Sequence, residues 1–171
     1  MHETEDDLAE LQRLLDMSHA RGGAHLRSIF TEERRIPASE LPELLPGVQV
    51  LVVATVTAAG EPRAAPVDGL FYRGRFWFGS SHDSARIRHL RSRPQVSGVH
   101  VRGEELAIVV HGAAHLVDLS QPRHAGFRDY CREVYGKEWG SWGAPAPYAR
   151  IDPAAMFTFR FRSQGLVGSR S

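Results

Sequence analysis

The sequence is poor in several features that would place a protein in a class at once. Its 171 residues include a single cysteine, Cys131, and a single lysine, Lys137, and the charged residues nearly cancel to a net charge of +1. One cysteine cannot form an internal disulfide, which is typical of a protein in a reducing compartment. The small net charge argues against nucleic acid or an anionic membrane as partner, so any basic patch is local.

Long apolar runs are also missing. No stretch approaches the roughly 20 apolar residues that a membrane-spanning helix needs, and the first residues are acidic and polar, unlike a signal peptide. Neither GxGxxG nor the P-loop motif occurs, so the sequence does not indicate a Rossmann or P-loop domain. We expect a cytoplasmic protein that contacts no membrane and no nucleic acid.

The pattern of apolar residues along the chain changes near residue 48. Before it, leucines at helical spacing predict a helix over 4–20 with Thr4 available as its cap, and a second short helix over 39–45. We therefore treat 1–47 as an N-terminal helical extension, packed on the following domain or on a partner subunit, and 48–171 as the domain that carries the function. The extension shows no chemistry of its own.

After residue 48, β-branched and alternating segments predict short strands joined by tight turns. Pro66 within one of them indicates a strand edge or a bulge. Such strands with only two or three helices favour a mainly β (α+β) fold built as a small antiparallel barrel. The predicted strands are 48–57, 63–73, 75–79, 95–101, 106–118 and 155–162, with helices at about 84–93 and 122–135.

The most informative stretch is FWFGSSHDSARIRHLRSRP, residues 76–94. An aromatic strand ends at Gly79, and a helix is expected to begin near Ser84, with Asp83 or Ser81 as its cap. Pro94 ends the helix. A helix start presents unpaired backbone N–H groups and a partial positive charge, which favours an anion.

The side chains around this helix start add further donors. Ser80, Ser81 and Ser84 supply hydroxyls, and Arg86 lies in the first turn, so that amides, hydroxyls and a guanidinium form a predicted phosphate cradle. Two other interpretations stay open: a solvated amphipathic helix in an arginine-rich protein, and a basic helix that contacts nucleic acid.

Residues 48–118 as an ordered set resemble the pyridoxamine 5'-phosphate oxidase-like family of split β-barrels, which bind flavin nucleotides. The resemblance rests on ATV…G.P…PV over two strands, a hairpin into an aromatic strand, the S…S.R…L…P.V segment, and a strand with a central glycine, VVHGAAHLV. It implies a six-stranded antiparallel split β-barrel with flanking helices, forming a homodimer with a cofactor at the subunit interface.

The resemblance also implies where the cofactor is bound. Family members hold the cofactor phosphate at the end of the third strand and the start of the next helix, and line the isoalloxazine ring with the second strand. His111 in the fifth strand is a further candidate near the ring. The implied cofactor-binding residues are Arg63, Ala65, Pro66, Val67, Ser80, Ser81, Ser84, Arg86 and His111.

The sequence departs from the pyridoxamine phosphate oxidases themselves at three positions. The lysine late in the second strand is replaced within VDGLF, the Arg-Lys pair reads Ala85-Arg86, and the glutamine of the fifth strand falls near Ala107. These departures argue against vitamin B6 oxidation. We expect instead a flavin-nucleotide-dependent oxidoreductase that transfers hydride or electrons to or from a small organic substrate.

Several alternatives remain at this level. The cofactor is FMN or a deazaflavin coenzyme of the 8-hydroxy-5-deazaflavin type, and a non-catalytic flavin- or haem-binding protein is a further option. No catalytic residue is assigned, with His111 and Tyr72 as the side chains to mutate first. His100, His111 and His115 carry no acidic or cysteine partner at ligand spacing, so no metal site is expected.

Two further groups of residues are of types that occur in catalytic or binding sites. The run Ser81-His82-Asp83 has the residue types of a hydrolytic triad, but adjacent side chains diverge and cannot form one. Trp139, Trp142 and Tyr148, in or beside a Gly- and Pro-rich loop, must be buried by something: the core, a partner subunit or a planar ligand.

Overall fold

The computed structural model describes residues 2–140 and 146–161, which form six strands and several helices. The helices are α1 (Glu5–Arg21), α2 (Ala24–Ile29), α3 (Leu41–Leu44), α4 (Ala85–Ser92) and α5 (Ala125–Tyr135), with 3-10 turns at Glu32–Arg34, Ala38–Glu40 and Pro122–His124. The strands are β1 (Val48–Val56), β2 (Pro62–Tyr72), β3 (Arg75–Gly79), β4 (Gln95–Arg102), β5 (Leu106–Val117) and β6 (Tyr148–Arg160).

The six strands close into a barrel in the order β1-β2-β3-β6-β5-β4, and every neighbouring pair is antiparallel. This confirms the predicted mainly β, six-stranded split barrel with flanking helices. The alternation along β1 explains its inside and outside: Leu51, Val53 and Thr55 are buried, whereas Val50 and Val52 are exposed.

The barrel is open along part of two strands. β3 pairs with β6 only at residues 148–150, and with β2 only at residues 69–72, so the first half of β2 has a free edge. Pro66 lies in that half, as the sequence predicted for a residue that cannot donate a backbone hydrogen bond. The rest of β6, beyond residue 150, is covered by the N-terminal extension.

The N-terminal extension completes the core. Thr4 caps α1 in a capping box with Asp7, and Leu11 and Leu15 of α1 are buried in the same cluster as the barrel interior. The backbone N–H of Met156 in β6 donates to Ser18 Oγ at 3.0 Å. The extension therefore packs on the barrel of its own chain, one of the two placements expected.

Thr158 in β6 makes a second buried polar contact with the extension. Its hydroxyl accepts from the backbone N–H of Ile36 and donates to the backbone carbonyl of the same residue, both at 2.9 Å. Both residues are buried, with Thr158 only 4% exposed. This single side chain therefore satisfies two backbone groups that water does not reach.

We expect Thr158→Val to lower the free energy of unfolding by about 2–4 kcal/mol, because valine has the same shape but leaves both groups of Ile36 without a partner. Urea denaturation followed by circular dichroism measures this change. Thr31→Val is the matched control, because the Thr31 side chain makes no cap hydrogen bond. Equal midpoints for the two variants would contradict a structural role for Thr158.

Two sequence predictions of local structure were wrong, and one element was missed. The nearly continuous apolar run of β1 predicts a strand buried on both faces, but Val50 and Val52 are exposed on its outer face. β6 begins at Tyr148 rather than at residue 155, and α2 with the following 3-10 turn was not predicted at all. β6 continues through Pro153 because a bulge at Ala154, opposite His111 and Gly112 of β5, adjusts the register there. Only glycine fits at position 112, since a Cβ atom would lie 2.2 Å from the carbonyl oxygen of Asp152.

A second apolar cluster packs α5 on the outside of β2, β3 and β6. Its only cysteine, Cys131, is fully buried, and burial raises the pKa of its thiol to about 12, which confirms the expected role as a small buried hydrophobe. The cluster comprises Leu70, Tyr72, Trp77, Phe127, Tyr130, Cys131 and Tyr148.

Among residues 2–140 and 146–161, no helix is long and apolar enough to cross a membrane.

Candidate functional site

The predicted cradle lies where β3 leads into α4. Ser84 is the N-cap of α4, and its hydroxyl accepts from the backbone N–H of Ile87 at 3.2 Å. The sequence-based choice of Asp83 or Ser81 as the cap was therefore wrong by one to three residues. Ser80 Oγ donates to Ser84 Oγ at 2.9 Å, so the strand end and the helix start are joined by hydroxyls.

Arg86 reaches back from α4 across this junction. Its Nη1 donates to Ser80 Oγ at 3.3 Å and its Nη2 lies 3.5 Å from the carbonyl oxygen of Ala65 on the free edge of β2. Within the described part of the chain, no carboxylate lies within 4 Å of the Arg86 guanidinium. Burial lowers the pKa of this half-buried group, as expected for a cation without a compensating charge.

The space beside Arg86 is a cavity of about 390 Å³ between α4, the C-terminal half of β1 and the first residues of β2. This volume is within the range of small-molecule sites, about 300–1,000 Å³. The wall combines one strongly basic side with small apolar side chains. It consists of Val53, Thr55, Thr57, Arg63, Ala64, Ala65, Ser84, Ala85, Arg86 and His89.

One face of α4 contributes more to this site than was predicted. His89 and Arg93 had been assigned to the outer face or its margins, but His89 Nδ1 lies 2.9 Å from Thr55 Oγ1, and Arg93 donates to the backbone carbonyl of Thr57. Spacings of three and four residues place Arg86, His89 and Arg93 on one helical face. That spacing is visible in the sequence and was the signal for His89.

The predicted residues of β2 divide between two faces. Arg63 and Ala65 pair with Thr55 and Val53, whose side chains are buried, and both line the cavity. Pro66 pairs with Val52 and therefore lies on the opposite, outer face. Arg63 forms an exposed ion pair with Glu61 at 2.7 Å.

Three other predicted residues lie apart from the cavity wall. Val67 pairs with Leu51 deeper along β2, Ser81 is exposed in the turn before α4, and His111 is exposed on the outer face of β5. His111 Nδ1 lies 2.8 Å from Ser97 Oγ on β4. Their roles in cofactor binding stay predictions.

The remaining candidates occupy other parts of the fold. Tyr72 is buried in the α5 cluster, where burial raises the pKa of its hydroxyl. His100 is buried on the inner face, whereas His111 is exposed on the outer one. Among the described residues, no group of three His, Cys, Asp or Glu side chains is placed to hold a metal ion.

The aromatic loop before β6 is only partly described. Trp139 Nε1 donates to the Tyr148 hydroxyl at 3.3 Å; Tyr148 belongs to the α5 cluster, and Trp139 is partly buried against it. Core packing, one of the three options for these aromatics, therefore applies to this pair. Trp142 and Arg162, which the sequence placed in the loop and in the last strand, lie outside the described residues.

Comparison with solved structures shows that the barrel is shared with flavin- and haem-related proteins. HutZ, the haem storage protein of Vibrio cholerae, aligns at 20% identity and a TM-score of 0.60 over 71% of this chain and 93% of that one. A FAD-binding protein from Mesorhizobium loti aligns at 22% identity and 0.57 over 73% and 93%. A putative pyridoxamine 5'-phosphate oxidase from Listeria innocua aligns at 18% and 0.53 over 64% and 87%.

The closed six-stranded antiparallel barrel with flanking helices is a split β-barrel. The family model for pyridoxamine 5'-phosphate oxidase matches residues 38–162, and the chain belongs to this family. No curated protein matches the sequence.

Proposed function

We propose that this protein binds a flavin nucleotide, FMN, with its phosphate at the β3–α4 junction, and acts as an oxidoreductase on a small organic substrate. The observation that carries the proposal is Arg86, a half-buried guanidinium without a carboxylate partner among the described residues, which lines the cavity together with Ser84 and is hydrogen-bonded to Ser80 beside it. The family and the FAD-binding structural relative support the same class of cofactor.

The chemistry of the cradle suits a phosphate group. A guanidinium has five N–H donors, and the contacts of Arg86 with Ser80 and Ala65 use two of them, so three remain for an anion. The first backbone N–H groups of α4 and the positive end of its dipole add to this attraction. All these donors lie on one side of the cavity.

The rest of the cavity suits a flat ring system. A bound flavin supplies hydride or one-electron transfer, and the protein contributes position and exclusion of water. Ala64 and Ala65 on the free edge of β2 have small side chains that leave room for a ring. The contact of His89 Nδ1 with Thr55 Oγ1 at 2.9 Å fixes the orientation of the imidazole in this wall.

We further propose a homodimer with the cofactor near its interface. Four valines on the outer face of the neighbouring strands β1 and β4 are exposed, with Val50 at 62% and Val101 at 57%. Contiguous apolar surface of this kind marks a protein contact. The face also carries Ala64 and Pro66 at the free edge of β2, so it borders the cavity beside Arg86.

Comparison of FMN with riboflavin tests the phosphate cradle directly. We expect FMN to bind at least about tenfold more tightly than riboflavin, because hydrogen bonds to a charged group contribute about 1.5–3 kcal/mol. Titration of flavin-free protein followed by quenching of flavin fluorescence gives both constants. Equal affinities would contradict a phosphate site at Arg86.

A deazaflavin coenzyme of the 8-hydroxy-5-deazaflavin type is the alternative cofactor, since it also carries a phosphate next to a flat ring. A storage or sensing role is the alternative function, and the haem storage protein among the structural relatives is the observation in its favour. Steady-state reduction with nicotinamide cofactors as electron donors separates turnover from storage.

A further inference from the structure

A second cavity, of about 270 Å³, lies where the β2–β3 hairpin, the start of α5 and the start of β6 meet. It shares no lining residue with the cavity beside Arg86. We call it the arginine pocket after four of its residues. These are Arg73, Arg75, Arg123 and Arg150.

Aromatic rings form the floor of the arginine pocket. Trp77 pairs with Arg150 across β3 and β6, and the Arg150 guanidinium lies 5.7 Å from the indole centroid. The ring of Phe127 in α5 stacks on the ring of Trp77, with the two ring centroids 4.0 Å apart. The buried Trp77 Nε1–H has no hydrogen-bond partner among the described residues, so an unpaired donor adds to the positive potential of this floor.

Three of the four arginines are oriented by carboxylates, and one of these carboxylates, that of Asp7, itself lines the pocket. Each guanidinium keeps further N–H groups free for another acceptor. The pairs are Arg73 with Asp7 at 2.9 Å, Arg75 with Glu10 at 3.1 Å and with Asp152 at 3.5 Å, and Arg150 with Asp152 at 2.8 Å.

Arg123 is the excess cation of the pocket. In the described part of the chain no carboxylate lies within 4 Å of it, and its Nε donates to Nε2 of the buried His124 at 3.2 Å. This contact requires a neutral imidazole with Nε2 as acceptor. Burial, with the nearby charges of Arg123 and Arg150, lowers the pKa of His124 and agrees with that state.

We propose that the arginine pocket binds a small phosphate dianion, either free phosphate or a phosphate monoester whose organic part lies on the aromatic floor. Four convergent guanidinium groups match the several acceptor oxygens of a phosphate. Three of them are already oriented, so little ordering opposes binding. The pocket is distinct from the flavin cradle, and this proposal does not depend on the proposed function.

The test uses the Arg86→Ala variant, in which the flavin cradle no longer competes for phosphate. Isothermal titration with inorganic phosphate and with phenyl phosphate should show saturable binding of both, and tighter binding of phenyl phosphate if the floor takes part in it. Adding Arg123→Gln should weaken both by at least about tenfold. Arg132→Gln, at an exposed arginine of the following helix α5 outside the pocket, is the matched control and should leave both unchanged.

A second measurement is independent of affinity. A bound dianion offsets the cations around His124, so the pKa of His124 should rise when phosphate is added, as followed by NMR of its imidazole. Absence of saturable binding in Arg86→Ala, or affinities that Arg123→Gln and Arg132→Gln change equally, would overturn the proposal. A His124 pKa that does not respond to phosphate would do the same.

Discussion

Arg86→Ala is expected to weaken FMN binding by about 10- to 100-fold, because it removes charge-assisted hydrogen bonds to the phosphate from a half-buried position. Fold stability should change little, because the described contacts of the guanidinium are two long hydrogen bonds to Ser80 and Ala65. Equilibrium titration of flavin-free protein, with riboflavin as second ligand, measures the change. Riboflavin affinity should stay nearly constant, since it has no phosphate to lose.

Arg88→Ala is the control for charge in the same helix. Arg88 is exposed, donates to the backbone carbonyl of Asp83 at 2.7 Å, and does not line the cavity. A general loss of positive potential would weaken FMN binding equally in both variants. That result, or unchanged affinity in Arg86→Ala, would return α4 to the interpretation of a solvated arginine-rich helix.

The double variant Val50→Asp/Val101→Asp is expected to be a monomer. The proposed dimer buries both side chains against a second copy, and an unpaired carboxylate in such an interface costs several kcal/mol, four times over in a symmetric pair. Light scattering coupled to size-exclusion chromatography measures the mass. We expect twice the 19.0 kDa chain mass for the native protein and the chain mass for the variant.

Met17→Asp serves as the comparison for this substitution. Met17 is exposed to 49% on α1, away from the outer face of β1 and β4. The Met17→Asp substitution should therefore leave the mass measured by light scattering unchanged. A native protein that elutes as a monomer at micromolar concentration would refute the proposed dimer and leave the exposed valines without an explanation.

Local signals allowed much of the fold to be predicted. Alternation along β6, the turns between strands and the helix stop at Pro94 follow from backbone geometry within a few residues of each position. The capping box of α1 was visible as Thr4 followed by acidic residues. The strand bounds of β3 and β4 agree with prediction to within one residue.

Longer-range contacts were not readable in this way. The start of β6 depends on the bulge beside Gly112, where two strands distant in sequence come into close backbone contact. The extension covers β6 through hydrogen bonds of the Ser18 and Thr158 hydroxyls. The backbone groups that pair with these hydroxyls lie far away in the sequence. Such pairings are set by tertiary packing, which local propensity does not encode.

The candidate site shows the same division. Ser80, Ser84 and Arg86 were predicted because they are close in sequence, and the structure brings them together. Thr55 was missed because its partner His89 lies 34 residues away, although the spacing of His89 from Arg86 was visible. The arginine pocket was not predicted, because its four arginines come from three separate segments.

The central claim is that the cavity beside Arg86 holds a phosphate-bearing flavin. The most direct measurement is the visible absorption spectrum of the purified protein, with mass spectrometry of the compound that heat releases from it. The account predicts FMN, or a deazaflavin with its own spectrum and mass. A colourless protein that binds neither FMN nor deazaflavin when they are added would contradict it.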